Sequence, residues 1–355
     1  MTPTPRTPLL DGMTMPPRYA PHERTYISWP LEVNYRWSLK EARNEHALLA
    51  KAIAPYEKVT MLVRPQDAAS LSEYLEVGDG IELLELPLDD AWIRDSGPIF
   101  VTDGRGGVTM VNFEFNGWGG RYGYDDCNAS PIRIAEWLGM RRYDAPFILE
   151  GGGFTVDGEG TFITTEQFLL NPNRNPKMSR EQIESGLHDY LGIDKVIWLK
   201  GGLAEDASTD GHSDNVVQCV APGVALLQTM PDRDNPNFEI CEENLRRLRE
   251  ARDAKGRKLE IVEMPILPYT KEIANPNNGS GEPTRYPVPY VNYYQVNGAL
   301  IVPMLGGPED DVAMPILERV HPERKIVPVP STAMAADGGG VGCVTQQQPA
   351  GEVLR

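Results

Sequence analysis

What most constrains this chain is a recurring pattern of elements without a recurring run of letters. Short β-prone runs come in pairs, and a single amphipathic helix follows. The pairs close at Asp157-Gly158, Pro222-Gly223 and Asn297-Gly298, dipeptides suited to tight hairpin turns. The helices are marked by caps and period. Ser38 with Glu41 and Ser179 with Gln182 have capping-box spacing, and Ser130 precedes Pro131 at a first helical position. Phe238, Cys241, Leu245, Leu248 and Ala251 recur at helical spacing over 238–255, and Val312, Ile316, Leu317 and Val320 mark a last helix. Residues 66–76 suit a shorter one. KVTMLVR at 58–64, IELLELP at 81–87, VTMVNFEFN at 108–116, KVIWLKG at 195–201 and KIVPVP at 325–330 read as strands. The alternation recurs about five or six times with no low-complexity linker, which predicts a single α/β domain of degenerate ββα-type units. A doubly wound nucleotide-binding fold is the competing class, but no GxGxxG opens a helix after a strand.

Bulk properties narrow the function. A net charge of −17 over 355 residues argues against nucleic acid, whose partners carry basic stripes, and permits attraction of a small cationic substrate. No apolar run approaches the ~20 residues that cross a bilayer, so no membrane partner is expected. Residues 1–14 lack an apolar signal core and read as a loose leader, which makes the cytoplasm the expected compartment. Cys127, Cys219, Cys241 and Cys343 are scattered without CxxC or zinc spacing, favouring free thiols over disulfides or a structural metal. Residues 265–290 carry six prolines and the run NPNNGSG, a long loop of the kind that is either functional, as a specificity lid, or disordered.

Four polar clusters fall at strand ends or turns: Asp89, Asp90 and Asp95 around Trp92; Glu150 before three glycines; Asp206, Asp210, His212 and Asp214; and Cys343 in the glycine-rich turn DGGGVGC. Each has a plainer reading by itself. Cys343 is a small buried thiol, His212 a hydrogen-bonded loop histidine, Asp95 an ion-pair partner of Arg94, and Trp92 and Trp118 are core aromatics. Taken together they are a thiol, an imidazole and several carboxylates. Carboxylates suit a guanidinium better than a peptide carbonyl, since its fork of N–H donors matches paired carboxylates. Its central carbon can then be attacked by a thiolate held over it.

In this order, the strings WIRDSGP, FNGWGG, EGGGFTVDGEGTF, LLNPNRNP, TDGHSDN, DNPNFE, YVNYYQVNG and GGVGCVTQQQP resemble the agmatine/peptidyl-arginine deiminase family of the pentein superfamily. The similarity runs from about Met15 to Pro349, implying one catalytic domain over 15–349 and a tail over 350–355. It implies an α/β-propeller, five ββαβ-like units around a pseudo-fivefold axis, and hydrolysis of agmatine to N-carbamoylputrescine and ammonia without metal or organic cofactor. By motif, Cys343 resembles the nucleophile and His212 the general acid/base. Asp95 and Asp214 resemble the carboxylates that bind the guanidinium, and Glu150 a third acid. Asp90, Asp210, Trp92 and Trp118 are candidates for the rest of the substrate. A homodimer is the candidate assembly. The family's usual stretch before the nucleophile is like GGGNIHC, so Gly342 stands where a histidine is usual. Another guanidino compound, a peptidyl arginine and amidino transfer to an amine remain alternatives, as do a non-catalytic binding protein and a Cys/His peptidase. Like-charged Asp95, Glu150 and Asp214 should raise the Cys343 thiol above its ordinary pKa of ~8.5, and a bound cation should lower it again.

Overall fold

The computed structural model describes residues 6–33, 35, 38–206, 208–266, 273–274, 283–284 and 290–355. Among these, one topology is repeated five times: two antiparallel strands, a helix, and a third strand parallel to the second. The chain starts inside a copy, with β1 (His22–Ser28), α1 (Leu39–Ile53), β2 (Lys58–Val63) and an added edge strand β3 (Ile81–Glu85). The next copy is β4 (Ile99–Thr102), β5 (Gly107–Glu114), α2 (Ser130–Leu138) and β6 (Arg142–Ile148). β7 (Phe154–Val156), β8 (Thr161–Thr165), α3 (Arg180–Leu191) and β9 (Lys195–Leu199) follow. Then come β10 (Val217–Ala221), β11 (Val224–Thr229), α4 (Phe238–Glu250) and β12 (Glu260–Pro265). The last full copy is β13 (Tyr294–Val296), β14 (Ala299–Met304), α5 (Glu309–Val320) and β15 (Lys325–Pro330). β16 (Thr345–Pro349) then pairs antiparallel with β1, completing the copy that the N-terminal part began. The two ends of the chain are thereby locked together, and Tyr26 donates across this seam to Gln348 at 2.6 Å.

The expected turns are present. Gly158, Gly223 and Gly298 take φ of 76°, 77° and 76° between their hairpin strands, a region that costs a side chain energy. Each helix lays its apolar face on sheet residues; on α1, Leu49, Ala50 and Ile53 pack with Ile27, Val59, Met61 and Ile301. Such burial is the main stabilising term, at about 1.5–3 kcal/mol per fully buried aliphatic side chain.

Several local expectations change. The Ser179–Gln182 capping box forms, but Ser38 caps nothing and its hydroxyl donates to Asp337 at 3.3 Å. Ser130 likewise lies inside the helix, with its hydroxyl turned to the Ser96 carbonyl. α4 stops at Glu250 because Ala251 is extended and Asp253 folds a turn with Arg257. The 66–76 helix shortens to Ala68–Leu71. A short helix, Thr332–Ala336, separates β15 from the glycine-rich turn. Within residues 6–14, Met13 is buried and Thr14 bridges Thr102, while Arg6 and Leu10 are exposed. The tail is also engaged, since Glu352–Val353 pairs with Gly107–Val108. The loop over 265–290 lies mostly outside the described residues, with Ile273–Ala274 pairing antiparallel with Pro283–Thr284. Among the described residues no helix is long and apolar enough to cross a membrane.

Candidate active site

The segments that follow the sheets converge on a cavity of about 400 Å³. Its walls include Asp90, Trp92, Asp95, Trp118, His212, Asp214 and Cys343. Residues as far apart as Asp90 and Cys343 meet there because the polar strings sit at equivalent places in successive copies of one topology.

Cys343 is held by its loop from both sides. Its amide donates to the Gly340 carbonyl at 3.0 Å and to Asn292 Oδ1 at 3.1 Å, while its carbonyl accepts from the Arg94 amide at 3.2 Å. The sulfur lies 3.5 Å from Asp214 Oδ2 and accepts from Asn292 Nδ2 at 3.1 Å. Burial first, then Asp214 and Asp95, push this thiol well above its ordinary pKa; the hydrogen bonds from the backbone and Asn292 oppose them. The resting group is a thiol at neutral pH.

Asp95 lies in the helical turn Ile93–Ser96. Its Oδ1 accepts from the Gly152 amide and its Oδ2 from Trp118 Nε1, each at 2.9 Å. Trp118 reaches it from a left-handed backbone, φ 55° and ψ 50°, an uncommon conformation for a bulky residue and one associated with functional sites. Arg94 is not the ion-pair partner of Asp95. Its guanidinium turns away, to the Gly342 carbonyl at 3.0 Å and Gln347 Oε1 at 2.9 Å, and pins the loop that carries Cys343.

His212 stands between two acids. Its Nε2 is 2.6 Å from Glu150 Oε2, its Nδ1 is 3.6 Å from Asp95 Oδ1, and Phe168 packs edge-on at 4.8 Å. Burial alone would lower its pKa; Asp95 and then Glu150 outweigh this and raise it to about 9. The imidazolium is therefore the resting form. Burial raises Asp95 to about 6 against the pull of His212. Glu150, fully buried, is held below the usual carboxylate range: burial works against ionisation, but His212 and Arg174 overcome it. Arg174 binds Glu150 in a fork, at 2.6 and 2.9 Å.

Gly152 explains why glycines follow Glu150. A Cβ there would lie 2.5 Å from Asp95 Oδ1, 2.8 Å from His212 Nδ1 and 2.9 Å from Asp214 Oδ2, so three polar groups close over this one backbone position. Asp214 is fully buried; Oδ2 faces the thiol, and Oδ1 accepts no hydrogen bond from a described residue. Among the described residues no group of three or more His, Cys, Asp or Glu is placed to hold a metal.

Of the nine residues singled out by sequence, eight meet at the cavity or directly behind it. Cys343, His212, Asp95, Asp214, Asp90, Trp92 and Trp118 line it, and Glu150 backs His212. Asp210 does not line it. Arg121 and Arg174 take up its carboxylate at 2.6–2.8 Å, so it anchors an ionic chain running through Arg174 and Glu150 to His212. Sequence reasoning missed Asn292 and Arg174, although both lie within strings that carried the family resemblance. A buried arginine or asparagine has no spacing that marks its partner.

The chain matches the Porphyromonas-type peptidyl-arginine deiminase family over residues 14–349. It belongs to that family. Among its curated relatives, an agmatine deiminase of Ectopseudomonas mendocina is 43% identical over 368 residues, with 99% of each chain covered. Another, from Pseudomonas aeruginosa, is 43% identical over 361 residues, covering 97% of each chain. A solved agmatine deiminase of Enterococcus faecalis superposes with a TM-score of 0.89 at 32% identity, covering 97% of this chain and 98% of that one. The fold of this family member is thus the pentein α/β-propeller, and the five ββαβ copies are its blades.

Proposed function

We propose that the protein is an agmatine deiminase, hydrolysing agmatine to N-carbamoylputrescine and ammonia through an amidino-cysteine intermediate. The observation that carries this reading is the buried carboxylate of Asp214. One oxygen faces the Cys343 thiol at 3.5 Å, while the other accepts nothing from a described residue. A guanidinium lying along Asp214 supplies the missing donors and brings its central carbon to the sulfur. Asp95 retains acceptor capacity beyond its bonds to Gly152 and Trp118 and serves as the second carboxylate. Full-length relatives with this activity support the choice of agmatine.

The steps follow from the protonation states. The incoming cation offsets Asp95 and Asp214, so the thiol loses its proton to solvent as substrate binds. The thiolate attacks the guanidinium carbon. His212, resting as imidazolium, gives its proton to the departing amine and ammonia leaves, with cysteine bound to the amidino carbon. Neutral His212 then takes a proton from water as the water adds to that carbon. Collapse breaks the C–S bond and releases the ureido product, and the hydroxyl proton passes to the expelled thiolate, restoring the resting thiol. Acid/base assistance of this kind contributes about 10²–10⁴-fold. The cavity wall also carries Trp92 and Asp90, which suit an alkyl chain and a distal ammonium.

The test is to incubate the purified protein with agmatine, free arginine or an arginine-ending peptide and assay ureido product and ammonia. Agmatine is expected to be turned over fastest, and Cys343→Ala to release no ammonia while remaining folded. Full activity in Cys343→Ala, or formation of a new guanidine from an added amine in place of ammonia, would overturn the reading.

A further inference from the structure

Asn292 is a second polar side chain against the Cys343 sulfur, beside Asp214. It lies in the helical turn Tyr290–Asn292 just ahead of β13, is fully buried, and has its amide wrapped in the loop that carries Cys343. Its Oδ1 accepts from the Cys343 amide at 3.1 Å, and its own carbonyl accepts from the Gly342 amide at 3.0 Å. Its Nδ2 faces the Asp214 carbonyl at 3.4 Å, Asn215 Oδ1 at 3.1 Å and Cys343 Sγ at 3.1 Å. Two of these partners are main-chain groups whose roles cannot change: the Cys343 N–H only donates and the Asp214 carbonyl only accepts. Together they fix which end of the amide is which, so the NH₂ group faces the sulfur.

The loop glycines make room for this contact. A Cβ at Gly340 would lie 2.8 Å from Asn292 Oδ1, and one at Gly342 would lie 2.7 Å from it. Neither glycine has a left-handed backbone, so the requirement is space and not conformation. The absence of a side chain at 342 is therefore tied to the seating of the Asn292 amide.

We infer that Asn292 is a catalytic residue of the proposed deiminase: its Nδ2 hydrogen-bonds the Cys343 sulfur and stabilises the thiolate during attack and again as leaving group. This rests on the deiminase reading above. A thiolate is a far stronger acceptor than a thiol, so a fixed donor selectively favours the charged form. The donor is also neutral. The other groups that bear electrostatically on this sulfur include Asp214, Asp95, the Arg94 guanidinium behind the loop and the Tyr35 hydroxyl. A lysine or arginine at position 292 would lower the thiol further but would repel the cationic substrate from the carboxylates beside it. An amide assists the sulfur without changing the charge that recruits the guanidinium.

The test uses Asn292→Asp, which keeps the shape and an acceptor for the Cys343 amide but replaces the donor with an oxygen, and Asn292→Ala as a second variant. Alkylation of Cys343 by iodoacetamide is followed against pH, with and without guanidinium ion, alongside circular dichroism and ammonia release from agmatine. Because loss of this bond favours the thiol, Asn292→Asp should alkylate about tenfold more slowly at pH 7.5, its profile displaced to higher pH. Asn292→Ala should be displaced the same way by less, since it adds no charge. In both, kcat should fall with little change in KM. A folded Asn292→Asp or Asn292→Ala protein that alkylates within about twofold of wild type at every pH would overturn the inference. Failure of the wild type to hydrolyse agmatine would sink the deiminase reading instead, so the two failures are distinguishable.

Discussion

Glu150→Gln isolates what keeps His212 charged. Glu150 accepts from His212 Nε2 at 2.6 Å and forks with Arg174, both contacts being fully buried. The rise of the imidazole from 6.5 to about 9 corresponds to ~3 kcal/mol in favour of the imidazolium. Burial works against that charge, and without Glu150 only Asp95 at 3.6 Å and Asp214 remain to oppose burial. The pKa should fall from about 9 toward the ordinary 6.5, at which the charged fraction at pH 7.5 would be about 9% in place of about 97%. The assay is titration of the His212 ring by NMR, paired with the rate of ammonia release. We expect the ring to titrate near 9 in the wild type and clearly lower, toward 6.5, in the variant. Ammonia release at pH 7.5 should drop about tenfold or more, with part of the loss recovered toward pH 6, where the imidazolium re-forms. Some stability will be lost as well, but Gln still offers Arg174 an acceptor and Asp210 still pairs with it, so the loss should fall below the ~3–5 kcal/mol of a broken buried pair. A Glu150→Gln protein whose His212 still titrates near 9, or whose activity does not depend on that titration, would refute the reasoning.

Two other substitutions probe the cradle. Gly152→Ala puts a methyl against Asp95, His212 and Asp214 together; we expect a loss of ~1–3 kcal/mol in a denaturant melt and a fall in kcat/KM of about 10² or more, from displaced carboxylates. Normal activity in that variant would show that the three groups are not held where the structure has them. Trp118→Phe removes the hydrogen bond to Asp95 Oδ2 while keeping the aromatic packing against Phe115. That bond favours the carboxylate, so its loss should raise the Asp95 pKa further, weakening agmatine binding most at acidic pH; an unchanged pH dependence of KM would count against it.

Much of the fold was legible from turns. Asp157-Gly158, Pro222-Gly223 and Asn297-Gly298 each force a local backbone geometry, and each lies between two paired strands. Helix existence was also readable from apolar period, whereas helix ends were not. Ser38 has the right spacing for a cap, but a distant acceptor, Asp337, takes its hydroxyl. The number of copies was not decidable from alternation because one copy is split between the chain ends, and only the pairing of β16 with β1 completes it. At the site, the polar strings located Cys343, His212, Asp95 and Asp214, since a thiol, an imidazole and acids in glycine-marked turns are chemically conspicuous. Asp210 belonged to the same kind of string, yet two arginines claim it. Asn292 and Arg94 were illegible for the opposite reason. Their function lies in which loop they touch, which only the closed propeller determines.

The most direct measurement of the chemistry is acid quenching of the wild-type protein during turnover of agmatine labelled at the guanidino carbon, followed by peptide mapping. We expect label on a single peptide, attached to Cys343 as an adduct equal to agmatine less ammonia, and none on Cys127, Cys219 or Cys241, which are buried and do not line the cavity. Label on a different residue, or sustained turnover by Cys343→Ala, would contradict covalent deimination at this thiol.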